Sequence, residues 1–478
     1  MKILLVKPQA RLAAVLGLQG FSLLEPLELG YLAAVVPAEH EVRVLDLRLA
    51  RFADRAFLRA LRRFRPDLVG FTGYTHEGSI VKRLARFVRR HLPAARVVVG
   101  GHHATVAPED LNVEQVDAVV RGEGCEPFRH IVAAAARGDG FDGIANVLVP
   151  GPGFDRAAAS VWPRFPDPAT LPHPRRELWD AGRYRSVWTG EQLPAGHPLY
   201  PIVAMVRSSW GCRMKCSFCV VPFLCGGQHM PRPVESVVDE IERVPARHIY
   251  FSDDENFIDE EFAWALAEGL ERRGIRKRYF AWTRSTTVLR SPELLERWRQ
   301  IGLDSAFLGF EFPTDEELRQ SHKGGTVEAN ERALDALRGM GVAVHAAFMV
   351  TPEHSEEQFA RLRDYVRGLP PSQCSITVCT PSPGTPDYRE MEPRIWVENP
   401  HDLHDCMHPL TPTKVPLRRF SRLLAEQAAL GTARTPMRVQ RHPAPPLDLL
   451  RVWRADRRYF RGFRDLYKDY PRELWGSP

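Results

Sequence analysis

The sequence has no apolar run long enough to cross a bilayer, and its first residues, MKILLVKPQ, lack the pattern of a secretory signal peptide. That stretch instead predicts a first β-strand, and we expect the protein in the cytoplasm. The formal net charge is only +6 over 478 residues, with arginines spread widely, so we expect no nucleic-acid partner. With 44% hydrophobic and 26% charged residues, the composition is that of a globular protein of two or three domains.

Cysteine is also scarce, and its distribution is uneven. The sequence has eight cysteines, of which only Cys125 lies in the first 200 residues. In a long cytosolic chain we expect them to be reduced or metal-bound rather than paired in disulfides. Cys374 and Cys379 lie in a strand-like segment and read as small core residues, whereas Cys225 closely follows a cluster of three.

That cluster is the stretch WGCRMKCSFC, in which Cys212, Cys216 and Cys219 have the spacing C-x3-C-x2-C. Three thiolates form only part of a metal site. Structural zinc takes four ligands, commonly from C-x2-C pairs, whereas a 4Fe–4S cluster takes one thiolate per iron. Three cysteines on one short loop would leave one iron open to an outside ligand, which favours a cluster that performs chemistry.

Residues 1 to about 137 alternate short apolar strands with amphipathic helices, which predicts a parallel α/β sheet of Rossmann-like type with helices on both faces. Such sheets bind ligands at the carboxyl ends of their strands. No G-x-G-x-x-G follows the first strand, so a dinucleotide site is disfavoured. Glycines stand instead after later strands: Gly70, Gly73, Gly100, Gly101, Gly122 and Gly124. We assign a first domain to residues 1–140 and a Pro- and Gly-rich linker to 141–199.

A second alternation begins at Ile202 and contains six strand–helix units, enough for a partial (β/α)6 barrel over residues 200–398. Functional residues of parallel barrels collect at the carboxyl ends of the strands. Those ends carry the cysteine loop, Asp253-Asp254-Glu255-Asn256, Thr283-Arg284, Glu311 and Pro383-Gly384-Thr385.

Residues 399–478 predict a small, mainly helical region rich in arginine and aromatic residues. The helical spacing of Trp453, Phe460, Phe463 and Tyr467 predicts one buried face. A basic amphipathic helix can also lie on a membrane surface, so a peripheral membrane contact stays open.

The cysteine loop after VAMVRSSW, with Phe218 before its last cysteine, resembles the radical S-adenosylmethionine (SAM) superfamily. The resemblance implies that the three cysteines ligate a 4Fe–4S cluster, that SAM fills the open iron, and that SAM is cleaved to a 5′-deoxyadenosyl radical. Asp253 and Asp254 resemble a family stretch near the methionyl amine, and Thr283, Arg284 and Glu311 fall where the family contacts the SAM carboxylate and ribose. Phe218 and Pro383-Gly384-Thr385 would flank the adenine. For each of these polar residues a barrel-mouth salt bridge is the competing interpretation.

The first domain resembles the cobalamin-binding domain fused to many radical SAM enzymes, in the stretches EPLELGYLAAVV, RPDLVGFTGYTHEG, VVVGGHHATVAPED and VVRGEGCEPF. The D-x-H-x-x-G motif that supplies a histidine to cobalt in other cobalamin proteins is absent, as is usual among radical SAM members. The resemblance implies that three groups of residues contact cobalamin: Tyr74, Thr75 and His76 beneath the corrin; Gly100, Gly101 and His102 at the nucleotide tail; and Gly122, Glu123 and Gly124 on the far side. His76 is expected to line the pocket, with cobalt ligation as the alternative.

Among cobalamin-dependent radical SAM methyltransferases, the hopanoid C-3 methylase group is most similar to this chain. The similarity lies in the stretches RRGIRKRYFAWTRSTTVL, FLGFEF and HPLTPTKVPLRRF. The resemblance implies methylation of an unactivated carbon, on a hopanoid-like lipid or a natural-product intermediate, with an electron donor such as flavodoxin or ferredoxin. No Ser-His-Asp or Cys-His arrangement is needed. His345 and His408 could donate a hydrogen, with core packing as the competing interpretation.

Three alternatives remain open from the sequence. A cobalamin radical SAM enzyme could catalyse a cyclisation or rearrangement without methylation. A methylthiotransferase acting on RNA would need three further cysteines in the N-terminal domain, where only Cys125 is present. A regulator that binds cobalamin or an iron–sulfur cluster without catalysis would form no deoxyadenosine from SAM.

Overall fold

The computed structural model describes residues 1–163, 165–190, 197–370, 372–433 and 446–476. Its strands are β1 Lys2–Lys7, β2 Ser22–Leu23, β3 Glu41–Asp46, β4 Leu68–Thr72, β5 Arg96–Gly100, β6 Ala118–Val120, β7 Val147–Leu148, β8 Arg185–Ser186, β9 Val203–Val206, β10 Ser209–Trp210, β11 Met230–Pro231, β12 His248–Phe251, β13 Arg278–Thr283, β14 Leu303–Glu311, β15 Ala343–Val350 and β16 Gln373–Val378.

The α-helices are α1 Ala13–Phe21, α2 Leu27–Ala34, α3 Ala53–Phe64, α4 Gly78–His91, α5 His102–Val106, α6 Cys125–Arg137, α7 Arg156–Ser160, α8 Val221–Leu224, α9 Val234–Arg243, α10 Glu260–Arg272, α11 Ser285–Arg290, α12 Pro292–Ile301, α13 Asp315–Gln320, α14 Val327–Gly339, α15 Glu356–Gly368, α16 Pro386–Met391, α17 Leu417–Ala433 and α18 Pro446–Arg464. No helix in the part of the chain that the structure describes is long and apolar enough to span a membrane.

The chain divides into two compact units that are not contiguous in sequence. The first comprises residues 1–11, 26–183 and 399–405, and the second residues 12–25, 184–398 and 406–478. The segment expected to be a linker therefore contributes residues up to 183 to the first unit. The short segment 399–405, expected in the helical C-terminal region, also folds with the first unit.

The first unit is built on a six-stranded sheet in the order β3-β1-β4-β5-β6-β7, parallel except for β7. Its strands are apolar because both faces are covered by helices. Phe57, Leu61 and Leu84 pack on one face, and Leu29 and Phe128 on the other. This is the predicted Rossmann-like arrangement, and the loops after β4, β5 and β6 lie at its carboxyl edge.

The second unit contains six parallel strands in the order β16-β15-β14-β13-β12-β9. This confirms the expected partial barrel, with β12 to β16 each preceded by a helix. Along β13 the side chains alternate between half-buried and buried, since successive residues point to opposite faces. The buried residues face the helices: the rings of Tyr279 and Phe251 contact Trp298 of α12 at 5.6 and 5.8 Å.

The helix α18 packs closely on α1, a helix that the sequence pattern did not predict. A Cβ atom at Gly17 would stand 2.5 Å from the Tyr459 Cα, and one at Gly462 2.6 Å from the Ala14 nitrogen, so glycine allows this crossing. The buried side of α18 thus contains Tyr459 and Phe463. The predicted buried face was wrong for Trp453, which is 51% exposed, because contact with α1 rather than aromatic spacing fixes the inward side.

Candidate functional site

The cysteine loop is a long excursion, residues 211–229, whose ends are joined by the antiparallel pair β10 and β11. Gly211 opens the loop with φ +86°, and a Cβ atom there would overlap the Gln228 carbonyl oxygen and stand 2.9 Å from the Cys225 Cβ. Only glycine fits this position, because the loop returns directly onto it. Cys225, noted in the sequence as a neighbour of the triplet, is therefore buried packing beneath the loop entrance.

The three cysteines of the triplet are unpaired: Cys216 is buried, and Cys212 and Cys219 are half-buried. Burial raises the pKa of Cys212 and raises that of Cys219 to about 12. Among the residues that the structure describes, no three Cys, His, Asp or Glu side chains are arranged closely enough to hold a metal ion. The geometry thus places all three thiols on one loop, and their role as cluster ligands stays a prediction from the donor chemistry.

Asp253 and Asp254, the two aspartates expected near the methionyl amine of SAM, fix the position of this loop. Asp253, buried after β12, accepts hydrogen bonds from the Ser208 amide at 2.8 Å, the Ser208 hydroxyl, and the Ser209 hydroxyl at 2.8 Å. Burial raises its pKa to about 6 despite these bonds. Asp254 accepts a hydrogen bond from the Gly211 amide at 2.8 Å. Asp253 thus holds the segment that leads into the loop, and Asp254 holds the first backbone amide of the loop.

The next residue, Glu255, carries a carboxylate oxygen that is still available. Its Oε1 accepts a hydrogen bond from the Thr283 hydroxyl at 2.8 Å, while its buried Oε2 has no partner among the described residues. Burial raises the pKa of Glu255 to about 7. Glu255 belongs to the acidic stretch that was expected at the mouth of the barrel, but the contact with the SAM amine was expected from Asp253 and Asp254.

Arg284 provides the opposite charge at this end of the barrel. Its Nη1 lies 3.5 Å from the Cys216 sulfur, its Nη2 donates to the Lys323 carbonyl oxygen, and its buried Nε has no partner among the described residues. Glu311, with φ +63°, forms an ion pair with Lys323 at 2.7 Å. This pair matches the salt-bridge interpretation for Glu311.

The unpartnered atoms of Glu255 and Arg284 fit the amino-acid end of SAM. An ammonium group needs a carboxylate acceptor, and a carboxylate is matched by a guanidinium.

The residues expected to flank the adenine are Phe218 and the turn at Gly384 and Thr385. The half-buried Phe218 packs in an apolar cluster with Phe312, Met349 and Cys379. Gly384 has φ +90°, and the Thr385 hydroxyl caps α16 by accepting from the Tyr388 amide at 3.2 Å.

In the first unit, the predicted cobalamin residues meet at the carboxyl edge of the sheet. The Tyr74 ring is 55% exposed and lies 6.1 Å from the rings of His76 and His102, parallel to His76. Thr75 is buried, and its hydroxyl has no partner among the described residues. Gly101 has φ +92°, and a Cβ atom there would stand 2.6 Å from the Thr72 hydroxyl. The backbone after β5 therefore packs tightly against the end of β4, and only glycine fits at position 101.

The residues expected on the far side of cobalamin, Gly122, Glu123 and Gly124, make contacts within the protein itself. Gly122 has φ +70° and donates its amide hydrogen to the Thr105 hydroxyl at 2.9 Å. Glu123 accepts the Cys125 amide at 2.9 Å at the start of α6, and burial raises its pKa. Gly124 lies close to Leu32, and Gly100 is the last residue of β5.

Two further histidines, His401 and His404, join this edge from residues 399–405, and no motif in the sequence indicated them. The ring of His401 contacts that of His103 at 5.2 Å, and His404 is close enough to His102 to disfavour its protonation. Burial, then His404, His103 and His76, lower the pKa of His102 to about 4. His103 shares its Nε2 hydrogen with Asp110 at 2.9 Å, and its buried Nδ1 has no partner among the described residues. The unpartnered Thr75 hydroxyl and His103 Nδ1 fit a ligand with many amide groups, such as cobalamin.

Comparison with known proteins gives the same two parts. Residues 15–144 match the family described as B12 binding domain, and residues 207–366 match the Radical SAM superfamily. Hopanoid C-3 methylase of Methylococcus capsulatus is 30% identical over 406 residues, which is 84% of this chain and 75% of the relative.

Two further matches are more distant. An anaerobic magnesium-protoporphyrin IX monomethyl ester cyclase of Rubrivivax gelatinosus is 27% identical over 350 residues, 70% of this chain and 60% of the relative. The solved structure of TsrM from Kitasatospora setae, a radical SAM methyltransferase with cobalamin and a [4Fe–4S] cluster bound, has a TM-score of 0.60 at 20% identity. It covers 82% of this chain and 77% of that one.

A Rossmann-like B12-binding unit combined with a partial barrel that carries C-x3-C-x2-C at its mouth defines a radical SAM enzyme that uses cobalamin. The chain belongs to the cobalamin-dependent radical SAM methyltransferases.

Proposed function

We propose that this enzyme methylates an unactivated carbon of an apolar, ring-containing lipid or natural-product intermediate. The observation that carries the proposal is the barrel mouth, where the three-cysteine loop adjoins a buried carboxylate and a buried guanidinium that each keep an unpartnered atom. The resemblance to a hopanoid methylase supports the substrate class, since hopanoids are polycyclic lipids.

In this proposal Cys212, Cys216 and Cys219 bind the 4Fe–4S cluster. Glu255 accepts the SAM ammonium group, and Arg284 binds its carboxylate. When bound, the cluster and SAM supply a carbon-centred radical and cobalamin supplies the methyl group. Asp253 holds the segment that leads into the cysteine loop, through Ser208 and Ser209, and would so fix the point from which the loop closes around the cluster.

The carboxyl edge of the first unit would bind cobalamin. The loop of Tyr74, Thr75 and His76 would lie under the corrin, and Gly100, Gly101 and His102 would lie at the nucleotide tail. The low pKa of His102, about 4, keeps its imidazole neutral at physiological pH.

The proposal includes two partners and a location. A one-electron donor such as flavodoxin or ferredoxin would reduce the cluster in the cytoplasm. A membrane surface would bring an apolar substrate within reach, and α18 supports such a contact. Its exposed side carries four apolar residues among six arginines: Leu447, Leu449, Leu450 and Trp453, with Arg451, Arg454, Arg457, Arg458, Arg461 and Arg464.

The function is tested by anaerobic expression with cobalamin in a host that makes polycyclic lipids, followed by mass spectrometry of the lipid and metabolite extracts. We expect a product one CH2 heavier than its precursor, absent from Cys216→Ala. Continued product formation by Cys216→Ala would contradict the cluster assignment. A product of altered mass without an added CH2 would favour a cyclisation like that named for the R. gelatinosus relative.

A further inference from the structure

The two faces of the barrel strands differ in how completely they are packed. The helix-facing side chains of β13, Tyr279, Ala281 and Thr283, are buried, whereas Phe280 and Trp282 on the other face are half-buried. A complete eight-stranded barrel fills its interior with layers of aliphatic side chains. In this partial barrel the inner-face side chains Phe280 and Trp282 keep contact with solvent.

Across β12 to β15, part of the accessible inner face is aromatic and forms a continuous ribbon. Tyr250 of β12 stacks on Phe280 at 4.5 Å between ring centroids, with the rings nearly parallel at 9°. Trp282 contacts Phe307 of β14 at 4.1 Å, and Phe307 contacts the His345 ring of β15 at 4.8 Å. We call these five rings, Tyr250, Phe280, Trp282, Phe307 and His345, the aromatic ribbon. They span four neighbouring strands.

At the amino-terminal ends of the strands, which we call its lower end, the ribbon has a polar boundary. Arg278 and Asp304 form a buried ion pair there, and the indole nitrogen of Trp188 donates to Asp304 at 2.8 Å. His248 packs on Trp188 at 4.8 Å. Asp304 thus pairs with both Arg278 and Trp188, and the polar groups at this end have partners within the protein.

The upper end of the ribbon adjoins the barrel mouth. Trp282 is followed along β13 by Thr283 and then by Arg284, so the ribbon lies within about 7 Å of strand length from the guanidinium residue. The indole nitrogen of Trp282 donates to the Phe251 carbonyl oxygen at 2.9 Å, which fixes the ring in the wall. A ligand lying on the ribbon would therefore sit next to the position proposed for SAM.

One polar atom on the ribbon is unused. The Nε2 atom of His345 is buried and has no hydrogen-bond partner among the described residues. Burial lowers the pKa of His345 to about 4, so the ring is neutral at physiological pH and can both donate and accept a hydrogen bond. An unpaired polar atom in an apolar wall is costly unless a ligand pairs with it.

We propose that the aromatic ribbon is the substrate-binding wall, that it binds an uncharged, flat, apolar ring system, and that His345 recognises one hydroxyl or carbonyl group on it. The rings provide dispersion contacts over a broad flat area, and the single imidazole fixes the orientation of the ligand. The inference deepens the proposed function and rests on it, because the ribbon would hold the carbon that is methylated. Its binding test requires no turnover, so the two can fail separately.

The test uses two fluorescent probes, 1-pyrenemethanol and 1-methylpyrene, which are flat tetracyclic compounds that differ by one hydroxyl group. Binding to the full-length protein is followed by pyrene emission. We expect saturable binding of both probes, with dissociation constants raised about 3- to 10-fold in Phe307→Leu, which keeps the wall apolar but removes a ring. Phe52→Leu, at a 55% exposed position of the first unit, is the matched control and should bind as the wild type does.

His345→Leu separates recognition from packing. It should weaken 1-pyrenemethanol about 3- to 10-fold and leave 1-methylpyrene within about 2-fold, because only the first probe can pair with the imidazole. Circular dichroism and deoxyadenosine formation from SAM report whether each variant is folded.

The inference would be overturned if the wild type failed to bind either probe saturably. It would also be overturned if Phe307→Leu bound both probes unchanged, or if His345→Leu weakened both equally. Ring binding with the expected variant effects, but without a methylated product in the expression experiment, would contradict the proposed function and leave the binding wall intact.

Discussion

The glycine that opens the cysteine loop allows a matched test of how the loop is built. Gly211 and Gly226 both have positive φ angles, +86° and +60°, which an alanine adopts at a cost of about 1–2 kcal/mol. Their surroundings differ. A Cβ atom at 226 would meet nothing within 4 Å, whereas one at 211 would overlap the Gln228 carbonyl oxygen and crowd Cys225.

The expected magnitudes follow from this difference. In Gly211→Ala the added carbon would lie closer than 2.5 Å to the carbonyl oxygen, while ordinary contact begins at 3.4 Å, so the loop must open by roughly 1 Å or more. Overpacking of this kind adds about 1–3 kcal/mol to the backbone cost, and metal-ligand sets tolerate displacements of only about 0.5 Å. We therefore expect Gly226→Ala to bind a full cluster and Gly211→Ala to lose most of it.

The assay is anaerobic reconstitution with iron and sulfide, followed by iron analysis and the visible absorbance of the cluster. Far-ultraviolet circular dichroism checks that both variants keep the barrel. Equal cluster content in the two variants would refute the argument that the close return of the loop at Gln228 positions the cysteines.

Four further outcomes are expected. Glu255→Gln should weaken SAM binding about 10- to 100-fold in anaerobic calorimetry without loss of iron, since a charged hydrogen bond is worth about 1.5–3 kcal/mol. Asp253→Ala should reduce iron content, because the amide and hydroxyl groups that it binds at the loop entrance would lose their acceptor. The folded-state pKa values of His102 and His401 are both about 4, below the ordinary 6.5. Their neutral burial therefore stabilises the fold fully above pH 6.5, and this contribution is lost as the pH falls to 4, by at most about 3 kcal/mol for each half-buried ring. The double change to Gln should flatten urea stability over that window. Trp453→Ser should reduce sedimentation with anionic vesicles, because it removes apolar area from the exposed side of α18.

The architecture could be predicted well because it depends on the periodicity of apolar residues along the sequence. Apolar strands that alternate with amphipathic helices define both parallel sheets, and strand order places the loops after β4, β5 and β6 at one edge. The cysteine loop was recognisable because its ligands are adjacent in sequence. The α1 helix was missed, since AAVLGLQGF has almost no polar face and takes its place from a glycine-mediated crossing with α18.

The contacts that combine distant segments were not predictable. Nothing in residues 399–405 indicates that His401 would meet His103, because that contact depends on how the chain returns to the first unit. The different roles of the adjacent carboxylates were not predictable either. Asp253 and Glu255 are alike in the sequence, but only the structure shows that the first is fully bonded and the second retains a free oxygen.

The central claim is that the enzyme transfers a methyl group from SAM, by way of cobalamin, to carbon. It is tested most directly by incubating the reconstituted enzyme, cobalamin and a reductant with SAM that carries a CD3 group, in the presence of a polycyclic lipid extract. The account predicts a product that contains the intact CD3 group on a carbon skeleton, together with deoxyadenosine, and neither from Cys216→Ala. Deoxyadenosine formed without any CD3-labelled product from an extract whose lipids are otherwise converted would contradict it.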